Sequence, residues 1–175
     1  MNKIFEKLTN QLTETIDSSV ALALHNKNQE VEVIHLLWAL LSNTNSVLNQ
    51  LLNKMNVNKV AVELEAKSYA SKLPSVSSVT KESIKLSRNL LSSLQSAEGL
   101  MASFGDKFIA VDTWLISNLD SSVIKDVLGK YVDLKEAKKE LEAMRAGKTI
   151  DSNSGDENLE ALNKYGIDLN KKAID

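Results

Sequence analysis

The chain has 175 residues, 43% of them hydrophobic and 25% charged, enough for one ordinary core plus a tail or for two small halves that share an interface. Its 21 lysines and arginines nearly balance 23 aspartates and glutamates, so no net field would hold a nucleic-acid backbone or an anionic membrane. Cysteine is absent, which rules out disulfides and thiolate chemistry and suits a reducing compartment.

A single proline, Pro74, and 5% aromatic residues fit a helical protein. The opening "MNKIFEKLTNQLTE" mixes acidic and polar residues into its apolar pattern, unlike the apolar core of a signal peptide. Its Ile4, Leu8, Leu12 and Ile16 recur every four residues and predict a long first helix. After a polar turn comes "VIHLLWALL", residues 33–41, read as a short apolar helix; nine residues are about half of the roughly 18 to 20 that span a bilayer. A short third helix covers "SVLNQLLNKM" (46–55), and Asn58 is placed to cap a fourth. The segment "SKLPSVSSVT" (71–80) is a connector. The cycle then repeats. Leu86, Leu90, Leu94, Ala97 and Met101 mark a long helix, "VDTWLISNL" (111–119) a short apolar one, and "SVIKDVLGKY" (122–131) a third. Asp133 caps a last helix that carries Leu134, Ala137, Leu141 and Met144 on one face.

Shifting the sequence by 78 residues superimposes Leu8 on Leu86, Leu12 on Leu90, Ile16 on Leu94, Val31 on Ile109, Leu37 on Leu115 and Leu41 on Leu119. The register then slips by about two residues. Two copies in an open solenoid would leave both ends of the core exposed. The expected fold is therefore an all-α, closed, pseudo-twofold bundle of eight helices, with the long first helices packed together. Residues 1–147 form this domain, with repeat one at 3–73 and repeat two at 79–147. Residues 148–158, rich in Gly, Ser, Asp and Asn, read as a flexible linker. Helical character returns in 159–175, as expected of the start of a further segment in a longer protein. The chain is expected to be cytoplasmic and, as this fragment, monomeric.

No active site assembles from these residues. Gly147-Lys148-Thr149 matches the end of a phosphate-binding loop, but the glycine that such a loop needs upstream is replaced by Glu142, inside a helix pattern. His25 and His35 are the only histidines, and nothing at i+3 or i+4 from His35 completes a helical metal site. Position 35 corresponds to Thr113 in the second copy, so a structural polar contact at a helix start is the expected role. Asp106 and Asp112 sit in a polar turn and at a helix start, where carboxylates satisfy free N–H groups. Trp38 and Trp114 have no basic stripe beside them and read as core or interface.

The paired signatures "IHLLWALL" and "VDTWLISNL", with "GDKFIAV" (105–111), "LEAMRAG" (141–147) and Asn10 within "KLTNQ", resemble the Clp N-terminal repeat domain. The tail "ALNKYGIDLN" (161–170) is similar to the segment that leads into the first ATPase module of ClpB-type disaggregases. The resemblance implies a domain that binds exposed apolar segments of unfolded or aggregated polypeptides and passes them to a hexameric threading ring cooperating with a DnaK-type chaperone. It implies a groove lined by Thr9, Leu94 and Thr113, with Asp106 and Asp112 as acidic neighbours. Thr113 departs from the apolar residue common in the family, and Trp114 beside it is expected to compensate. No cofactor is expected in this fragment, which lacks Walker motifs; ATP and Mg would belong to the full-length protein. Two rival readings are the adaptor-docking domain of a protease-coupled ClpA- or ClpC-type unfoldase, and an enzyme whose site forms only in the fold.

Overall fold

A computed structural model describes residues 3–154. Eight α-helices form among them: α1 (Asn10–His25), α2 (Val33–Ser42), α3 (Val47–Lys54), α4 (Lys59–Ser71), α5 (Arg88–Phe104), α6 (Val111–Asn118), α7 (Ser122–Val127) and α8 (Leu134–Arg145). Side chains cap the corresponding helices of both halves. The Thr9 and Ser87 hydroxyls accept from the N–H groups of Leu12 and Leu90, and the Asn58 and Asp133 side chains accept from the first turns of α4 and α8. Such caps satisfy N–H groups that have no partner within the helix and contribute about 1 kcal/mol each.

The first helices start later than the apolar pattern predicts. Residues Lys3–Lys7 form a 3-10 turn and α1 begins at Asn10; Leu86 lies in a short strand, β2 (Lys85–Leu86), and α5 begins at Arg88. Ile4, Leu8, Leu12 and Ile16 are all buried nonetheless. The four-residue spacing records an inward face that survives the break at Thr9.

These lead-in segments cross between halves. Strand β1 (Glu30–Val31) runs parallel to β2, pairing Val31 with Leu86. Leu8 makes the reciprocal parallel bridge with Ile109, held by Thr9 N–H to the Ile109 carbonyl at 3.0 Å and Ile109 N–H to the Lys7 carbonyl at 2.7 Å. Leu8 and Leu86, like Val31 and Ile109, are 78 positions apart, so each half lends its first extended residues to the other. This exchange closes the pseudo-twofold bundle.

The expected packing of the long first helices is not what closes it. Helices α1 and α5 each pack on the second helix of their own half, α2 and α6. The halves meet through α2 against α5 and α7, α3 against α6 and α8, and α4 against α7. The reason lies in composition: eight of ten residues in α2 and seven of eight in α6 are buried, so these two helices must lie at the centre. α1 carries a narrower stripe of Leu12, Ile16, Ser19 and Ala23, which one neighbour covers. Among the described residues no helix is long and apolar enough to cross a membrane.

Residues 148–154, the described part of the expected flexible linker, lie back on the bundle. Ile150 is 1% exposed, and the chain bonds through Lys148, Ile150 and Asn153. One isoleucine in a polar run anchors the segment. The expected linker beyond it and the tail 159–175 lie outside the described residues.

Candidate functional site

The loop between α5 and α6 brings three of the expected residues together. Gly105 adopts φ 77° and ends α5, a left-handed conformation that glycine takes without steric penalty. The chain then turns Asp106 inward. Asp112 and Thr113 follow at the start of α6, and Arg145, at the last position of α8, reaches all three. Its Nε and Nη2 donate to the two Asp112 oxygens, at 2.9 and 2.5 Å. Nη1 donates to Asp106 Oδ2, and Nη2 also to Thr113 Oγ1 at 2.9 Å. The Phe104 ring centroid lies 4.8 Å from the guanidinium carbon, close enough for a cation–π contact. The second Asp106 oxygen accepts from Ile150 N–H at 2.9 Å.

Arg145, Asp106 and Asp112 are 5%, 6% and 5% exposed. Burial opposes the Arg145 charge, but Asp112 and Asp106 outweigh it and hold the guanidinium pKa above its ordinary value. The cluster fastens α8 to the α5–α6 loop. It offers no acid, base or nucleophile: the cation is fixed and both carboxylates are engaged as acceptors.

The other expected groove residues are also enclosed. Thr9 caps α1 and is fully buried. Leu94 is 0% exposed and belongs to the core, as its repeat partner Ile16 does. Trp114 is fully buried, with Nε1–H donating to Ser93 Oγ at 2.9 Å. The structure thus gathers Asp106, Asp112 and Thr113, places Thr9 near them through the Leu8–Ile109 bridge, and opens none of the six to solvent. An apolar stripe shows which residues point inward without showing where the covering layer stops.

That layer stops a short way along the same helices. Between α5, α6 and α8 lies an open groove of about 550 Å³, lined by the apolar Leu100, Ile116, Leu119 and Leu134 and by charges of both signs, Lys125, Lys135 and Lys138 with Asp120 and Glu142. Sequence reasoning missed it because half-buried Leu100 shares a helix with covered core residues, while Ile116 and Leu119 are themselves core residues, 7% and 5% exposed, that only edge the groove. Lys135 and Lys138 were visible as part of the charged face of α8, whereas Lys125 comes from α7.

In repeat one the position equivalent to Thr113 is His35. The Glu32 N–H donates to its Nδ1 at 2.8 Å, so Nδ1 is the acceptor and Nε2 carries the proton, which it gives to Asn28 Oδ1 at 2.8 Å. Burial pushes the His35 imidazole down to about 4. His35 is a neutral structural group. Among the described residues, no group of three or more His, Cys, Asp or Glu side chains could hold a metal ion. Gly147-Lys148-Thr149 follows a helix rather than a strand, the wrong context for a phosphate loop.

The model for the Clp repeat N-terminal domain matches residues 7–131. The chain is 56% identical over 171 residues to chaperone protein ClpB of Wolinella succinogenes, and 52% identical over 172 residues to that of Helicobacter hepaticus. Each match covers 98% of this chain and 20% of the relative, so the chain spans about a fifth of the length of these relatives. The Hsp104 N-terminal domain from Candida albicans matches with a TM-score of 0.74 at 21% identity, over 86% of this chain and 99% of that one. A ClpV N-domain in complex with a VipB peptide matches with a TM-score of 0.63 at 18% identity, over 83% and 91%. The two sequence repeats, their exchanged strands and these matches agree: this chain belongs to the Clp repeat N-terminal domain family.

Proposed function

We propose that the chain is the polypeptide-binding N-terminal domain of an ATP-driven disaggregase of the ClpB type. Residues 1–147 would be the binding unit, 148–158 a tether, and 159–175 the lead into the first ATPase module. The full-length protein would use ATP and Mg, assemble as a hexamer and cooperate with a DnaK-type chaperone. Sequence identity to the ClpB relatives supports the family role, and the open groove between α5, α6 and α8 supports the binding activity. That groove is the observation that carries the reading.

Its chemistry suits unfolded chains. Burying one large aliphatic side chain is worth about 1.5–3 kcal/mol, so a groove accepting two of them gains roughly 3–6 kcal/mol before the segment's ordering cost is subtracted. Affinity is therefore weak and tolerant of sequence, as capture of many different exposed apolar segments demands. The lining lysines are largely balanced by Asp120 and Glu142, so the groove selects segments mainly by apolar content.

Leu100 is half-buried on the groove floor, so Leu100→Asp should weaken binding of an unfolded, fluorescein-labelled model protein about tenfold, read by anisotropy, with the melting temperature little changed. Equal binding by variant and wild type would overturn the groove assignment.

A further inference from the structure

Helix α4 buries Val62, Ala66 and Ala70 against the bundle and turns Val60, Leu64, Lys67, Ser68 and Ser71 to solvent. The exposed positions recur every three or four residues, so they form one stripe on the side opposite the core. Val60 is 66% and Leu64 58% exposed, more than any other large apolar side chain among the described residues. One exposed aliphatic residue is ordinary; two on adjacent turns of an outermost face make a patch. Repeat two shows that the fold does not require them. Counted from the caps Asn58 and Asp133, Val60 corresponds to Lys135 and Leu64 to Lys139, and both lysines are exposed. The same helix thus stands with charge at these places, and apolar side chains there point to a partner.

The charges beside the patch say which partner. Glu63 and Lys67 lie one turn apart on one flank of the stripe. The Ser42 hydroxyl donates to Glu63 Oε2 at 3.1 Å and holds that carboxylate at the flank. Glu65, toward the other flank, is engaged by repeat two, accepting from Lys130 Nζ at 2.8 Å and from the Tyr131 hydroxyl at 3.2 Å. The stripe is self-complementary. When two α4 helices pair antiparallel about a two-fold axis at the level of residue 65, each flank meets the same flank of the other copy. Glu63 then stands opposite Lys67 of the second copy, and the reciprocal pair forms on the far side of the axis. The two Leu64 side chains meet beside the axis, and each Val60 packs between Lys67 and Ser71 of the other copy. The same arrangement on α8 would oppose Lys139 to Lys139.

We infer that the outer face of α4 is a docking surface for α4 of a second copy of this domain. Two helices of 13 residues, each about 20 Å long, make a contact below the roughly 1,200 Å² of a stable interface. Pairing is therefore weak, and the dilute chain stays monomeric, as its sequence leads one to expect. It gains weight where copies are tethered together. The surface shares no residue with the groove between α5, α6 and α8, so two paired copies present two grooves. In the hexamer proposed above, neighbouring domains would pair two by two and hold one unfolded chain at two points.

The test is sedimentation equilibrium of the 175-residue chain over about a hundredfold range of concentration reaching the millimolar, where so small an interface associates. Wild type should show a reversible monomer–dimer equilibrium. Leu64→Lys, which gives repeat one the residue of repeat two, should weaken it about tenfold. Glu63→Lys and Lys67→Glu should each weaken it about fivefold, and the double reversal should return to the wild-type constant, because both copies then carry the pairs in the opposite sense. Circular dichroism confirms the helices of each variant. A chain monomeric throughout the range overturns the inference, as does association that Leu64→Lys leaves unchanged. Failure of the double reversal to recover overturns the antiparallel pairing, and the inference with it. If Leu64→Lys instead weakens binding of reduced, carboxymethylated α-lactalbumin to a monomeric chain, the face serves polypeptide capture and the inference is lost. The groove reading survives each of these results, since Leu100→Asp tests it separately and should leave self-association at the wild-type level.

Discussion

The two halves hold the same junction with different chemistry. In repeat one, Asn28 and His35 join the α1–α2 loop to the segment leaving α4 through neutral hydrogen bonds. In repeat two, Asp106 and Thr113 occupy the matching positions, 78 residues on, and join the α5–α6 loop to the end of α8 through Arg145. The backbone frames correspond: Lys27 at φ 59° stands where Gly105 adopts φ 77°. A left-handed turn followed by an inward polar residue is thus the shared design, and the charge state of that residue is free to differ. A neutral junction is exposed to protonation of its histidine. An ionic junction depends on one cation for two carboxylates.

The largest expected effect follows from that dependence. Arg145→Met leaves Asp106 and Asp112 buried without their cation, and breaking a buried ion pair by removing one partner costs about 3–5 kcal/mol. Denaturant unfolding of the variant should show a loss in that range. Adding Asp106→Asn and Asp112→Asn to Arg145→Met should recover most of it, because the uncompensated charge, more than the lost contacts, carries the cost. A triple variant as unstable as the single one would show that Arg145 acts through packing on Phe104 instead.

The next effect belongs to repeat one and depends on pH. Above 6.5, the ordinary imidazole value, His35 is neutral in folded and unfolded chains alike. As the pH falls from 6.5 to about 4, only the unfolded chain takes up the proton, because burial keeps the folded imidazole neutral. Stability is therefore lost as the pH falls through this window, by about 3 kcal/mol at most. The geometry explains the resistance: a proton on Nδ1 would face the Glu32 N–H, donor against donor. His35→Gln should flatten this part of the stability curve, measured by urea unfolding at intervals between pH 7 and 4. An unchanged slope would move the cause to the carboxylates.

Much of this architecture was legible in the sequence. The duplication, the helix count, the caps Asn58 and Asp133, and the enclosure of "VIHLLWALL" all follow from apolar spacing and turn chemistry. The break before α1 was not, because Leu8 stays on the inward face whether the chain is helical or extended. The Arg145 cluster was hidden because its partners lie 33 and 39 residues away, while locally Arg145 is one more charge on a charged helix. The repeat alignment did hold a signal: a change from Asn28 and His35 to Asp106 and Thr113 places a carboxylate at an inward position, which requires a cation. Leu94, expected in a groove and covered in the structure, shows a related limit. Its periodicity specifies an inward direction, and only the assembled layers separate a covered leucine from an open one such as Leu100.

The smallest expected effect isolates the neutral member of the ionic junction. Thr113 supplies one acceptor to Arg145 Nη2, which also donates to Asp112. Thr113→Val keeps the shape of the side chain and removes that oxygen. The guanidinium keeps its carboxylate partners, so the loss should be about 1.5 kcal/mol, the low end of the range for one hydrogen bond to a charged group, and well below that of Arg145→Met. Combined with Arg145→Met, Thr113→Val should add almost nothing, because its partner is already gone. Additive losses in that double variant would show that Thr113 contributes through packing beside Trp114 rather than through Arg145. The two halves would then differ in their polar core as well as in charge.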